Sequence, residues 1–597
     1  MPRLNDILRR SVLAALCMFL AGPAPAEFAS VADAMDAVVT RMYATLSEAE
    51  LTALDDAAVQ DFITPEERAA LATKHWYFDV DVPVVVSVLR ETGQAAVPFW
   101  LAEAGFTKTD LVVTNVQNWQ FEVWQKTFEA GRVGLGINGF DRHRPHYLVA
   151  VGPKDPGAKV NISNLHPAQY SIEVMQPGAK CYHDWSENVL KDVPESLRGQ
   201  HLLTTIRGRA RDAHLIGGFR QTPYPSSDAP DQIMLTWSAD PKTTQTIQWR
   251  TGTGVSVGQV RWREKDGGAS GIAPSSVIRM QDRMLANDRY IHRHTAEIHG
   301  LKPGTRYVYA VGSPAADRWS DEAEFVTAPA KAGPVTFLVT GDTHQKESWG
   351  ALMDAALARH PASAFYVIAG DLVNTGQYHS DWDEFFHHGR NIFRTLPVVP
   401  TIGNHDAIDG LGPGVYLDLF ALPGDGPETL KPEQAYAFEY GDLLMISLDC
   451  TAEIAVQNAW LEAVLQRSTA TWKFATYHFP NYDPNYREDY QAITDNWGAL
   501  FDRYHVDLVF QGHTHRYLRS KPIRGGEVVQ DPADGTIYIV SIAIPNRERP
   551  APEVDYIEKA LSGIPLYQTV HIDGKKLTYE ARDAEGAVHD ALVIEKP

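Results

Sequence analysis

The chain has 597 residues, 44% of them hydrophobic and 22% charged. That is a globular composition, too long for one hydrophobic core, so three or more domains are expected. Fifty-four Lys and Arg against 75 Asp and Glu leave a net charge of −21; this favours solubility and argues against nucleic acid as a stable partner, since general nucleic-acid binders are basic.

Residues 1–26 read as a secretory signal peptide. Arg3, Arg9 and Arg10 give a positive start, residues 11–21 are mostly apolar, and Ala24-Pro25-Ala26 supplies a small-residue cleavage site. The apolar run is too short to span a bilayer, and no later segment looks transmembrane. The expected location is periplasmic or secreted, with no membrane span after cleavage. Residues 27–75 look helical, with Ser47-Glu48-Ala49-Glu50 and Thr64-Pro65-Glu66-Glu67 as capping boxes.

Residues 76–222 change to strand-like runs between Gly, Pro and Asn turns, and read as one or two accessory β-domains. Trp76, Trp100, Trp119 and Trp124 are expected in the core; the functional alternative is a platform for carbohydrate contact. Cys181 and Cys450 have no metal or redox spacing and are expected as buried free thiols. Residues 223–230 form a linker rich in Pro, Ser and Asp. Alternating runs then fill residues 231–329, ending in residues 301–311, whose alternation suits a sandwich strand. From 333 to 597 strands alternate with helical stretches at 349–359, 381–394, 455–466 and 490–504, which argues a layered α/β domain. His379, His387 and His388 are expected as exposed histidines on or beside the second stretch.

Five polar clusters each close a short apolar run of this last region. Asp342-Thr343-His344 follows 335–340, Gly370-Asp371 follows 364–369, and Gly403-Asn404-His405-Asp406 follows 396–401. His478 closes 472–477, and Gly512-His513-Thr514-His515 follows 506–511. Each cluster alone is an ordinary turn. Together they place Asp, Asn and His side chains at adjacent strand ends, where α/β sheets bind ligands. Carboxylate and amide oxygens with imidazole nitrogens suit Mn, Fe and Zn. Asp342, His344, Asp371 and His515 are assigned to one ion. Asp371, Asn404, His478 and His513 are assigned to a second, with the Asp371 carboxylate as the bridge.

The five blocks, in this order between Gly333 and about His571, resemble the calcineurin-like metallophosphoesterase superfamily. Ser380-Asp381-Trp382-Asp383, His478-Phe479-Pro480-Asn481-Tyr482 and Gly512-His513-Thr514-His515-Arg516-Tyr517 are similar to its purple acid phosphatase branch. Residues 301–311 resemble the late hairpin of a fibronectin type III domain, which precedes the catalytic domain in many members of that branch. The resemblance implies an α+β multidomain fold. N-terminal helical and β-sandwich-like domains come first, then a fibronectin type III-like sandwich at 231–329. A four-layer α/β/β/α metallophosphoesterase domain follows at 333–597. It carries metal-binding roles to Asp342, His344, Asp371, Asn404, His478, His513 and His515, and a catalytic role beside the metals to His405.

Two positions depart from the purple branch. It has Gly where His344 stands, and a metal-binding Tyr where Asn374 stands; Tyr378 is the nearest alternative tyrosine. The expected cofactors are therefore two divalent ions rather than a coloured ferric centre. Four positive charges against Asp342 and Asp371 leave a site about two charges positive, suited to phosphate. A metal-bridging hydroxide would attack phosphorus, with His405 stabilising the transition state or protonating the leaving oxygen. Arg487, in the loop after His478, is either a substrate contact or a surface arginine. The expected function is exported hydrolysis of phosphate monoesters. The alternatives are a phosphodiesterase with the same metals, and a surface carbohydrate- or polymer-binding protein with secondary hydrolysis.

Overall fold

The computed structural model describes residues 28–141, 145–167, 170–315, 317–545 and 550–597; the expected signal segment lies outside them. The chain divides into two compact units. One runs to Gln221 and includes Arg283–Ala286 and Asp409–Leu411; the other takes Thr222–Asp282, Asn287–Ile408 and Gly412–Pro597.

The first unit opens with helices Val31–Thr45, Glu48–Thr52, Asp56–Phe62 and Pro65–Thr73. Both capping boxes form: the Ser47 and Thr64 side chains accept from the amides of Glu50 and Glu67, whose carboxylates accept in return from the cap amides at 2.7 and 2.8 Å. Each such cap contributes about 1 kcal/mol. Met35, Val38, Val39 and Met42 share one buried helix face and pack with Val59 and Leu71. An eight-stranded sheet and a three-stranded sheet follow. In the strand Val84–Glu91, Val84, Val86 and Val88 join a core with Trp76 and Phe78, while Leu89 faces a second core with Phe121 and Leu148. Trp76 and Trp100 are core side chains, so a sugar platform of all four tryptophans is ruled out. Trp119 is half-buried edge-on to Trp185, and Trp124 donates to Glu122.

The second unit begins with two facing sheets. Strands Asp231–Thr236, Thr244–Gly252, Tyr290–His299 and Ser276–Gln281 form one in that order. The other is built on Gln259–Glu264 and Arg306–Ser313. Alternate residues Tyr307, Tyr309 and Val311 meet Leu235, Ile247, Trp249 and Ile298 in a shared core.

Two larger sheets follow. The six-stranded one has Val398–Pro400, Tyr366–Ile368 and Val335–Thr340 as parallel neighbours, then three antiparallel strands from the C-terminal segment. The seven-stranded one has Leu443–Ser447, Trp472–Thr476, Leu508–Gln511 and Ile537–Val540 in parallel at its centre. The sheets meet through aromatic rings: Phe337 lies 5.5 Å from Phe474 and 6.1 Å from Phe510. Period-two alternation builds both faces of the second sheet. Met445, Phe474 and Phe510 turn toward the first sheet, whereas Ile446, Ala475 and Val509 meet Leu461, Val464 and Phe501 of outer helices.

On the far side of the first sheet, helices Glu347–Arg359 and His379–Phe393 pack through Trp349, stacked on Phe385 at 5.1 Å. The expected helix at 490–504 is interrupted: Gln491–Ile493 leads into a π-helical turn, Thr494–Gly498, before Ala499–Tyr504. The expectation of exposed histidines on the second helix is corrected. His379 is buried, His387 stacks on Tyr224 at 3.8 Å, and His388 donates Nδ1–H to the Gln345 carbonyl at 2.7 Å, because neighbouring segments cover that helix. Cys181 and Cys450 are free and buried, and burial pushes the Cys181 thiol up to about 12. Among the described residues no helix is long and apolar enough to cross a membrane.

Candidate metal centre

Every polar cluster sits at the carboxyl end of a parallel strand. Val335–Thr340 delivers Asp342 and His344, Tyr366–Ile368 delivers Asp371, and Val398–Pro400 delivers Asn404 and His405. Trp472–Thr476 delivers His478, and Leu508–Gln511 delivers His513 and His515. Three strands come from one sheet and two from the other, so the site spans the junction of both.

The backbone turns sharply at each strand end. Asp342, His344, Asp371, His513 and His515 have φ of 50°, 42°, 51°, 77° and 52°. Side chains in the left-handed region cost roughly 1–2 kcal/mol each, and such residues gather at functional sites. Glycines let the turns close together. A Cβ on Gly403 would lie 2.2 Å from Asp371 Oδ1, and one on Gly512 would lie 2.4 Å from Asp342 Oδ2.

Two donor clusters result. One ligand atom from each of Asp342, His344, Asp371 and His515 lies within 4.8 Å of the others, and the same holds for Asp371, His478 and His513. Asn404 joins the second through Oδ1, 2.9 Å from His513 Nδ1. His344 Nε2 faces His515 Nε2 at 3.0 Å, and His478 Nε2 lies 3.0 Å from Asp371 Oδ2. His344 Nδ1, the ring's other nitrogen, is buried with no hydrogen-bond partner. Imidazole nitrogens and carboxylate oxygens gathered this closely and largely buried fit cations well. Oxygen and nitrogen donors match Mn, Fe or Zn.

Electrostatics support the same use. Burial pulls His344 and His513 down to about 4, which keeps both rings neutral with a lone pair to offer. Burial also disfavours charge on His478, but Asp371 outweighs it and raises the ring to about 9. Burial would raise Asp371, yet His478 and the neighbouring histidines hold it well below the usual carboxylate range.

His405 is half-exposed beside the first cluster, its ring edge-on to His344 at 4.9 Å. Its amide donates to Asp371 Oδ1 at 2.9 Å, and its Nδ1–H donates to the Asn374 carbonyl at 2.7 Å. Arg487 is half-buried with its guanidinium 5.2 Å from the Tyr482 ring and 4.9 Å from Tyr556. Asn374 donates its own amide to Gln345 Oε1 at 2.8 Å. Tyr378 precedes the helix His379–Phe393.

Two contributors escaped the sequence reading. Asp406, read only as part of a motif, is buried and accepts amides of Leu372 at 3.0 Å, Val373 at 3.2 Å and Gly403 at 2.8 Å. Burial, and then the charge of Asp371, push its carboxyl well above the ordinary range. Tyr490 places its hydroxyl 2.9 Å from His513 Nε2. Asp406 carried a signal in its place within Gly-Asn-His-Asp, whereas Tyr490, expected only as the start of the helical stretch 490–504 and found capping the helix Gln491–Ile493, carried none.

Residues 335–517 match the calcineurin-like phosphoesterase family, and residues 230–327 match the purple acid phosphatase N-terminal domain. The chain thus carries a calcineurin-like phosphoesterase domain. It is 25% identical over 370 residues to purple acid phosphatase 23 of Arabidopsis thaliana, spanning 53% of this chain and 79% of the relative. An uncharacterized protein of Mycobacterium tuberculosis is 26% identical over 337 residues, 49% of this chain and 62% of its own length. Another relative, 26% identical over 39% of this chain and 53% of its own, is named Fe(3+)-Zn(2+) purple acid phosphatase 12 of Arabidopsis thaliana. Purple acid phosphatase PPD1 from yellow lupin seeds superposes with a TM-score of 0.55 at 14% identity, covering 88% of this chain and 91% of the lupin chain. The mixed α/β, strand-rich fold is thus that of a purple acid phosphatase.

Proposed function

We propose that this phosphoesterase is an exported phosphomonoesterase working at a two-ion centre. Its ligands are Asp342, His344, Asp371, Asn404, His478, His513 and His515, within a catalytic domain at 333–597. The observation that carries this reading is the pair of largely buried donor clusters sharing Asp371. Two divalent ions held there would supply Lewis acidity and an acidified water.

The chain's own residues do the rest. The His405 amide fixes one oxygen of Asp371 and leaves the other toward His478. A carbonyl only accepts, so the bond to Asn374 places a proton on His405 Nδ1. Nε2 is then the nitrogen that delivers a proton to the leaving oxygen, as imidazolium, from the half-exposed rim. Arg487, held over two tyrosine rings, is proposed as a substrate contact. Export is supported by residues 1–26, with their basic start, apolar run and small-residue end.

Full-length protein reconstituted with Mn, Zn or Fe is assayed on aryl phosphate monoesters and diesters. Faster monoester turnover, abolished by chelators, is expected. Faster diester turnover would make it a diesterase. Chelator-resistant activity without a transition metal would sink the site reading.

A further inference from the structure

His513 is held from both sides. Its Nδ1 lies 2.9 Å from Asn404 Oδ1, on the side of the second donor cluster, and its Nε2 lies 2.9 Å from the Tyr490 hydroxyl. A ring nitrogen that binds a cation must offer a lone pair. In this structure the Asn404 oxygen only accepts, so Nδ1 carries the proton and Nε2 accepts from the Tyr490 hydroxyl; with a cation on Nδ1 the ring proton would sit on Nε2, where the phenol oxygen is placed to accept it. The Tyr490 ring is itself fixed. Phe479 stacks on it at 4.7 Å with 3° between planes, and both rings stand edge-on to the imidazole, at 4.9 Å and 5.8 Å. His344 in the first cluster differs, because its Nδ1 has no partner.

We propose that Tyr490 is a positioning residue for the second metal site, holding the His513 ring in place and accepting its Nε2–H when Nδ1 holds a cation. The inference rests on the two-ion reading above. It adds an aromatic hydroxyl that orients a ligand without touching a metal, a role whose loss typically weakens affinity about 10–100-fold.

Tyr490→Phe removes one oxygen and keeps the ring stack. Metal-free full-length wild type and variant are titrated with Mn(II) by calorimetry, and the thermal unfolding of both metal-free proteins is recorded. Wild type should bind two ions. The variant should bind one with unchanged affinity and the other about 10–100-fold more weakly, with unaltered metal-free unfolding. Unchanged affinity at both sites would overturn the proposal while leaving the two-ion reading intact. Equal weakening at both sites, or a lowered unfolding temperature with unchanged affinities, would also overturn it, because Tyr490 would then be a packing residue. Fewer than two ions on wild type would sink the two-ion reading and this proposal with it. Nitrogen-15 NMR of the zinc-loaded wild type gives a second check: a proton on His513 Nε2 is expected, and a proton on Nδ1 refutes the assignment.

Discussion

The two halves of the candidate metal centre are oriented by different means. In the second cluster the histidines are braced by hydrogen bonds: His478 donates Nδ1–H to the Ala369 carbonyl at 2.9 Å, and His513 meets Tyr490. In the first, backbone conformation dominates. Asp342, His344 and His515 all have left-handed φ, against His513 alone of the second cluster's unshared residues, and His344 faces His515 nitrogen to nitrogen. Hydrogen bonds orient a ring at little cost to the apo fold. Strained turns orient it at a cost the rest of the fold must offset. The first pocket should therefore trade stability for geometry more steeply than the second.

Asp371 belongs to both pockets, so its loss should erase the contrast. Asp371→Ala is expected to lower turnover by roughly a thousandfold or more, since metal-assisted charge stabilisation amounts to several kcal/mol. Elemental analysis should show both ions depleted. Loss of one ion alone would show that Asp371 does not bridge.

His405 stands outside both ligand sets. His405→Ala should reduce turnover by roughly a hundredfold while metal content stays at two. Near-normal turnover across the pH range would remove it from the proton-transfer role.

Asp406→Ala probes the bracing itself. Three amides from two ligand loops lose their acceptor, and an unsatisfied buried donor costs about 1–3 kcal/mol. Denaturant unfolding of the metal-free variant should show a loss of at least that size. An unchanged midpoint would mean that the loops are held some other way.

His344→Gly tests the strain in the first pocket directly. Glycine accepts φ of 42° freely, so the metal-free protein should gain about 1 kcal/mol, while the first ion binds more weakly. A destabilised apo protein would show that His344 packing matters more than its backbone. The smallest effect concerns colour. With Asn374 in place of tyrosine, the iron-loaded protein should lack a visible charge-transfer band. A band lost on Tyr378→Phe would show that another tyrosinate has taken the role.

The candidate centre was largely legible in the sequence for a physical reason. Parallel strands buried on both faces read as continuous apolar runs, so Asp342, Asp371, Asn404, His478 and His513 stood out where each run stopped. Strand ends shifted by a residue or two; the run 364–369 became Tyr366–Ile368. What stayed hidden depended on distant packing. His387 seemed exposed by helical periodicity, yet Tyr224 covers it from 163 residues upstream. Tyr490 reaches His513 only because the loop after His478 folds back. The strand order of the eight-stranded sheet likewise depends on pairings that no local pattern encodes.

Because three strands that carry candidate ligands belong to one sheet and two to the other, bound cations would act as rivets across the sheet–sheet seam. Occupancy then becomes a measure of docking: an ion bound at a hundred times its dissociation constant adds about 2.7 kcal/mol against separation of the layers. Chelation should loosen this seam before it loosens either sheet, and hydrogen exchange should quicken first at Phe337, Phe474 and Phe510, the rings that meet across it.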